Sequence, residues 1–378
     1  MLSISINAFS QKTIQGRVLD KTTEQPIEFV SIYDNTNSNF VITNSDGKFT
    51  FTTKSDSVYF SIIGYEKLIL ASESIQTNIV FYVESQIHTL DEVIISENGE
   101  DNINIITEGL RKNYPIKNYK EKFYLRNVLR KNDTIIKIQD IDGIIEREGL
   151  FTDLKPRKKY SVYVTNMRKA GYNERKINHR FFSFERILEE LITQFIYPKY
   201  FDLEETTMSD TTLMRIEFSP KSLEETKANG YYIVNTTDSA LLQVYSLDTA
   251  KGDYTEKSNV KYRDSYYEVL ISYYKNPNLN KYLISSAKIT TSTELIDEYG
   301  NQSIYEATYI LNTELYKNNE SPKGKVSISK DVFELKKDYD ATYWENHNIL
   351  QLTDEMILFL EKLNGLDRKE FKVKSNIE

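Results

Sequence analysis

The sequence contains no cysteine, one tryptophan, three histidines, seven prolines and 13 glycines in 378 residues. Without cysteine there is no disulfide, no zinc–thiolate centre and no thiol nucleophile; this composition fits any compartment. The histidines, His88, His179 and His347, stand far apart, and none has a second histidine or a carboxylate at a familiar metal spacing. They read as ordinary strand or surface side chains, and no metal or cofactor site is expected. G-x-S-x-G, H-E-x-x-H, the phosphate loop and the dinucleotide fingerprint are all absent. S-x-x-K occurs at Ser45, Ser258, Ser272, Ser285 and Ser327, but 31 serines and 35 lysines give about three matches by chance, and the partner motifs S-D-N and K-T-G are missing. No catalytic residue is assigned. No apolar run approaches the length of a transmembrane helix. The net charge of −8 argues against a general nucleic-acid binder.

Aromatic residues are plentiful, with 28 Tyr and 18 Phe, and with Thr, Ile and Val they favour half-buried strands. Residues 2–11, LSISINAFSQ, form a short apolar run followed by small and polar residues. They read as the tail of a secretory signal whose positive n-region is truncated, with a mature start near Gln11 or Lys12. The alternative is an ordinary first strand with a frayed end.

From residue 12 to 96 short alternating stretches are separated by turns, a spacing that predicts a β-sandwich. Pro26 opens a strand expected over 27–34. The Asp46-Gly47 turn leads into KFTFTT, which puts Phe49 and Phe51 on one face. A calcium loop there would need more oxygen ligands than Asn44 and Asp46 supply, so the stretch reads as a tight hairpin with Gly47 at positive φ. The succession GRVLD, QPIEFVSIY, SDGKFTF, SIIGYEKLIL and LDEVIIS resembles the carboxypeptidase-regulatory-like domain. That resemblance implies a seven-stranded, prealbumin-like sandwich, similar to the N-terminal extension of many TonB-dependent outer-membrane receptors. It covers about a quarter of the chain.

Residues 97–101 read as a linker, and 102–378 as a larger antiparallel β domain with helices near 102–113, 183–196 and 353–364. The first helix carries Ile103, Ile106 and Leu110 and stops at Pro115. The second carries Phe184, Ile187, Leu188, Leu191, Ile192 and Phe195, and is ended by Pro198. The third is capped by Thr353 or Asp354 and followed by Gly365. Hairpins are expected around Asn132-Asp133 and around 237–239. The first helix with the FYLR strand after it resembles proteins of one Gram-negative phylum that carry the same sandwich. The strand pair GYYIVNTTDSALLQVYSLD resembles the outer-membrane lipoprotein-carrier family, which implies a half-barrel with a helical plug.

Residues 155–180 carry nine Lys or Arg against one acid, Glu174, with Tyr160, Tyr163 and Tyr172 interleaved. Arg157, Lys158, Lys159, Arg168, Lys169, Arg175, Lys176 and Arg180 form a candidate anion-binding patch. The competing reading is a solvated strand and loop paired with Glu185, Glu189 and Glu190. The carboxylate pairs Glu146/Glu148 and Glu189/Glu190 read as solvated charge and not as a glycosidase dyad.

The expectation is a mainly β chain without a transmembrane span: a non-enzymatic binding or scaffold protein of the periplasm or outer-membrane periphery, with an envelope protein, glycan or lipid as partner and no nucleic acid. The alternatives are a carrier of an apolar ligand, favoured by a lined cavity and disfavoured by a filled interior, and a hydrolase with an unfamiliar site.

Overall fold

The computed structural model describes residues 11–35, 40–75, 78–86, 99–151, 160–174, 179–208, 210–223, 227–317, 320–363, 365 and 371–377. The chain forms two units: Met1–His88 with Glu345–Ile357, and Thr89–Trp344 with Leu358–Glu378. The first is therefore discontinuous in sequence.

Among the described residues, seven strands build the first unit in two sheets. One has β4 (Lys48–Thr53), β1 (Lys12–Asp20) and β7 (Ile79–Val83) in that order, with β1 and β7 parallel. The other has β3 (Phe40–Ile42), β2 (Ser31–Asp34), β5 (Ser57–Ser61) and β6 (Leu68–Ala71). Alternation buries Ile14, Val18, Ile32, Phe49, Phe51, Val58, Phe60 and Phe81 in one core. Phe60 and Phe81 pack at 4.7 Å between ring centroids. The expected strand over 27–34 is cut to its second half. Phe29 sits at φ 66, because the chain wraps Thr43, whose hydroxyl donates to Ile27 O at 2.7 Å and accepts from Val30 N at 2.9 Å. The LDEVIIS stretch lies outside the described residues.

The hairpin question has a direct answer. Gly47 has φ +73, and a Cβ there would lie 2.5 Å from Val18 O. Asn44 Oδ1 accepts from the N–H groups of Asp46 and Lys48 at 3.0 and 2.9 Å. These bonds and the left-handed glycine make the corner a tight turn.

Among the described residues, the strands of the second unit form one open antiparallel sheet of 12. In chain order they are β8 (Tyr119–Lys131), β9 (Thr134–Arg147), β10 (Tyr160–Glu174), β11 (Phe201–Thr207), β12 (Leu213–Pro220), β13 (Asn229–Asn235), β14 (Ala240–Asp248), β15 (Thr255–Lys257), β16 (Val260–Asn276), β17 (Lys281–Ile296), β18 (Gln302–Leu315) and β19 (Phe371–Ser375). Their order in space is β11-β12-β13-β14-β16-β17-β18-β8-β9-β10-β19, with β15 beside β16, and among the described residues the sheet does not close into a barrel. Asn132 and Asp133, both at positive φ, join β8 to β9 as expected, and Ser239 at φ 52 turns β13 into β14.

Helices α1 (Gly99–Asn113), α2 (Phe184–Glu190), α3 (Ala341–Glu345) and α4 (Asp354–Leu363) complete the described elements. α1 begins inside the expected linker. α1 and α2 share one core with the apolar face of the sheet, through Ile103, Ile106, Leu110, Phe184, Ile187, Leu188 and Leu191. α2 is shorter than its apolar stripe predicts. The hydroxyl of Tyr232 donates to Gln194 O at 2.8 Å and accepts from Ile196 N at 3.1 Å, so these backbone groups find a partner off the helix. Pro198 opens a 3-10 turn there and does not end the helix.

Two glycines in this sheet sit under phenyl rings of the facing strand. A Cβ on Gly143 would meet Tyr163 O at 2.0 Å and the Phe123 ring at 2.6 Å, and one on Gly230 would meet Tyr245 O at 2.0 Å and Phe218 at 2.7 Å. Gly143→Ala is expected to destabilise by about 1–3 kcal/mol through overpacking against backbone that cannot move aside. Urea unfolding of the variant checks it, and an unchanged midpoint refutes it.

Candidate functional site

Period-two alternation places residues of β8, β9 and β10 on two faces of the sheet, and both faces hold buried charge. On the face that packs on α1 and α2, Glu121 and Arg147 are less than 6% exposed. Arg147 Nε donates to Glu121 Oε2 at 2.6 Å. Tyr119 lies directly across from Arg147 in the β8–β9 register, and Tyr160 directly across from it in the β9–β10 register. Three polar atoms of this group are buried without a hydrogen-bond partner: Tyr119 Oη, Glu121 Oε1 and Arg147 Nη2. Burial, and then the charge of Glu121, holds the Tyr119 phenol protonated well above its ordinary value. Burial alone would lower the Arg147 guanidinium, but Glu121 outweighs it and the net shift is upward. The arrangement is a neutral ion pair with one acceptor and one donor left over, beside a phenol, among aromatic rings. Buried polar atoms of this kind call for a partner.

On the opposite face, Asp140 sits between two arginines. Arg126 Nε donates to Oδ1 at 2.8 Å and Arg168 Nε to Oδ2 at 2.7 Å. Burial pushes the Asp140 carboxyl up, but Arg126 and Arg168 outweigh it and hold it well below the usual carboxylate range. The Arg168 guanidinium lies 4.7 Å over Trp344, and the Tyr343 hydroxyl bonds Asp142. The adjoining register row runs Gln243, Ser272, Ser286, Asn312, Tyr124, Asp142, Asn166 across seven strands. Asn312, 2% exposed, has both side-chain amide atoms unpaired.

Of the candidate anion-binding residues, Arg157, Lys158, Lys159, Arg175 and Lys176 lie outside the described residues. Arg180 is exposed. Arg168 is committed to Asp140. Lys169 Nζ donates to the carbonyls of Phe333 and Leu335, each at 2.6 Å. Two of the three described members thus point to internal partners. The acids of α2 meet other groups: Glu190 pairs with Arg186 at 2.5 Å and bonds the Tyr267 hydroxyl. Glu190 is 6% exposed, so its reading as solvated charge is corrected; the helix turns it toward Tyr267 on β16. Glu146 accepts from Tyr163 and pairs with Lys120.

His179 stacks on Tyr305 at 5.1 Å, and burial followed by the charge of Lys137 brings it down to about 4. Lys137 is itself buried, donates to His179 O at 2.8 Å and lies 5.4 Å over the Phe333 ring. His88 lies outside the described residues, and His347 belongs to the first unit. Among the described residues no group of three or more His, Asp or Glu could hold a metal ion.

Composition and spacing do not reveal the Glu121–Arg147 pair. A charged residue on each of two apolar strands, both facing the core, is the one available signal, and it is visible only once the register is known.

Residues 14–95 match the CarboxypepD_reg-like domain. No curated protein matches the chain. Among solved structures, one described as lipid–protein interactions in lipovitellin is similar over 58% of this chain and 28% of its own, at 11% identity and TM-score 0.25. The chain therefore spans less than a third of that relative. MucB in complex with MucA(peri) is similar over 57% of this chain and 94% of its own, at 9% identity and TM-score 0.17. Both are likenesses of fold alone.

Two outcomes follow from the buried charges. Asp140→Asn leaves two guanidiniums facing a neutral amide and is expected to cost about 3–5 kcal/mol in urea unfolding at neutral pH. Because the folded carboxyl titrates below its ordinary 3.8, its contribution is complete above that value and is lost as pH falls through the folded one. An Asn variant as stable as the parent would contradict the assignment. Lys137 shifts in the same direction but in an alkaline window. Burial lowers it to about 8 from an ordinary 10.5, so the unfolded chain binds more protons across that window and stability rises with pH there. Lys137→Met should abolish the rise in a pH series of unfolding midpoints.

Proposed function

We propose that this is a non-enzymatic binding or scaffold protein of the bacterial cell envelope, located in the periplasm or at the outer-membrane periphery. The CarboxypepD_reg-like sandwich is its docking module, and the large sheet is its binding body. An envelope protein, a glycan or a lipid is the partner class. The observation that carries this reading is the Glu121–Arg147 pair with Tyr119. It is buried, retains unmet hydrogen-bonding capacity, and lies on the apolar face of the sheet, where a partner group reaches it only as the cover over that face opens. Such groups suit recognition of a neutral hydroxyl or amide: the leftover carboxylate oxygen asks for a donor, the leftover guanidinium nitrogen for an acceptor, and the carboxylate repels an anion.

Asp140 is held ionised between two arginines and Tyr119 is held protonated, so neither changes protonation near neutral pH. The carrier reading is weaker. The apolar face is occupied by α1, α2 and the turn at Val332–Glu334, with Phe123 against Phe184 at 5.5 Å and Phe181 against Phe333 at 5.7 Å. An apolar ligand would have to displace those side chains.

Two measurements test the proposal. A buried pair kept for recognition adds little stability, because its desolvation offsets its attraction. Arg147→Met alone strands Glu121 and is expected to cost about 3–5 kcal/mol, whereas Glu121→Leu with Arg147→Met is expected to equal the parent or exceed it by about 1–4 kcal/mol. A double variant as unstable as the single one makes the pair structural and removes the carrying observation. Fractionation of cells that express the protein from its own chromosomal locus with a C-terminal tag should recover it in the periplasm or with the outer membrane; recovery in the cytoplasm refutes the location.

A further inference from the structure

The first unit contains a piece of chain that the family match at 14–95 does not include: Glu345–Ile357. Part of it, residues 349–354, is laid along one corner of the sandwich. Ile42 donates its N–H to Ile349 O at 2.9 Å, and Ile42 and Leu350 form a parallel bridge. Leu350 is 2% exposed. The Gln351 amide bonds the Thr50 hydroxyl, and Asn44 Nδ2 donates to Leu352 O at 3.4 Å. Lys48 Nζ reaches both carboxylate oxygens of Asp354, at 2.8 and 2.7 Å, and the Asp354 N–H points to Asp46 Oδ2 at 3.3 Å. Residues 44, 46 and 48 all belong to the glycine corner.

β3 is the edge of its sheet. An edge strand offers unpaired N–H and C=O groups to any extended segment, with side-chain contacts supplying selectivity. We propose that the β3 edge and the Asp46-Gly47 corner form a docking site for an extended peptide, and that residues 349–354 are its built-in, releasable occupant. The site reads three features. Ile42 takes a strand-like main chain. The apolar contact takes a leucine. Lys48 takes a carboxylate four residues further on. A partner segment with the same pattern replaces the internal one.

The Ile42 N–H on Ile349 O and the Ile42–Leu350 bridge pair the occupant with β3. The Lys48–Asp354 pair is solvated, with side chains 38% and 71% exposed, and contributes little. The inference rests on reading the sandwich as a docking module and names the edge that docks. Failure of the peptide to bind would leave the cellular location and the Glu121–Arg147 measurement untouched.

The test uses the full chain carrying Leu350→Asp and Asp354→Lys, which empties the edge, and a fluorescent peptide of residues 347–356. Anisotropy should show the peptide binding this variant at least tenfold more tightly than the parent, whose edge is filled. Equal binding to both chains, or none to a variant that still melts cooperatively, overturns the proposal. If the double variant does not fold, a charge exchange decides. Lys48→Glu and Asp354→Lys should each accelerate amide exchange at Ile42 by up to about fivefold, and the two together should restore protection. Exchange at Ile42 that ignores both substitutions overturns the proposal as well.

Discussion

Asp140 between Arg126 and Arg168 is the contact that ties the register of β8, β9 and β10, the three strands it joins. Three adjacent strands of 13, 14 and 15 residues each contribute one member, directly opposite one another in the ladder. Side chains alternate faces with period two, so a slip of one residue would carry Asp140 to the apolar face and separate it from both arginines. An unpaired buried carboxylate costs several kcal/mol, which penalises slipped pairings heavily. Hydrophobic alternation alone is less discriminating here, because residues on both faces of these strands are buried. Tyr343 and Trp344 of α3 seal the cluster by binding Asp142 and stacking on Arg168. Three strands and a short helix are thereby fixed by one buried carboxylate and its neighbour.

The same logic of completed hydrogen bonds explains the other face. Tyr232 intercepts the backbone of Gln194 and Ile196, so α2 ends after two turns and the chain can cross to Pro198–Tyr200. Lys137 and Lys169 cap carbonyls of the loops that cover the sheet, at His179, Phe333 and Leu335. Where the face lacks a side chain, at Gly143 and Gly230, a phenyl ring from the facing strand lies over the gap. Glu121 and Arg147 depart from this pattern. Their neighbours complete part of their bonding and leave the rest open, and this sets the pair apart from the structural lysines.

Local chemistry was legible in the sequence wherever one residue dictates one geometry. The Asp46-Gly47 corner, the Asn132-Asp133 hairpin, the Phe49/Phe51 face and the stripe of α2 all follow from φ preferences or periodicity. Features set by distant partners were not legible. Thr43 shortens the strand before β3, and Tyr232 shortens α2; neither effect has a local signature. The basic run looked like a surface because nine cations stand close together in sequence. Strand pairing sends Arg168 and Lys169 to opposite faces of β10, one toward Asp140 and the other toward Phe333. Nor does any periodicity place residues 349–354 with strands 300 positions earlier, although the hydrogen-bond separations there exceed that distance.

That long return changes what the early corner is for. A hairpin turn requires only a glycine that tolerates positive φ and an oxygen that caps the exposed N–H groups, and Gly47 and Asn44 supply both. Asp46 and Lys48 exceed that requirement. They present opposite charges on either side of the glycine, one to the N–H and the other to the carboxylate of Asp354, while the Asn44 amide uses its remaining donor on Leu352. The turn that shapes the module also displays it: left-handed backbone at a single position projects three side chains toward the approaching chain. Structure and recognition share this corner without competing, because the bonds that hold the turn come from the Asn44 oxygen and those that bind the segment come from its nitrogen and the flanking charges.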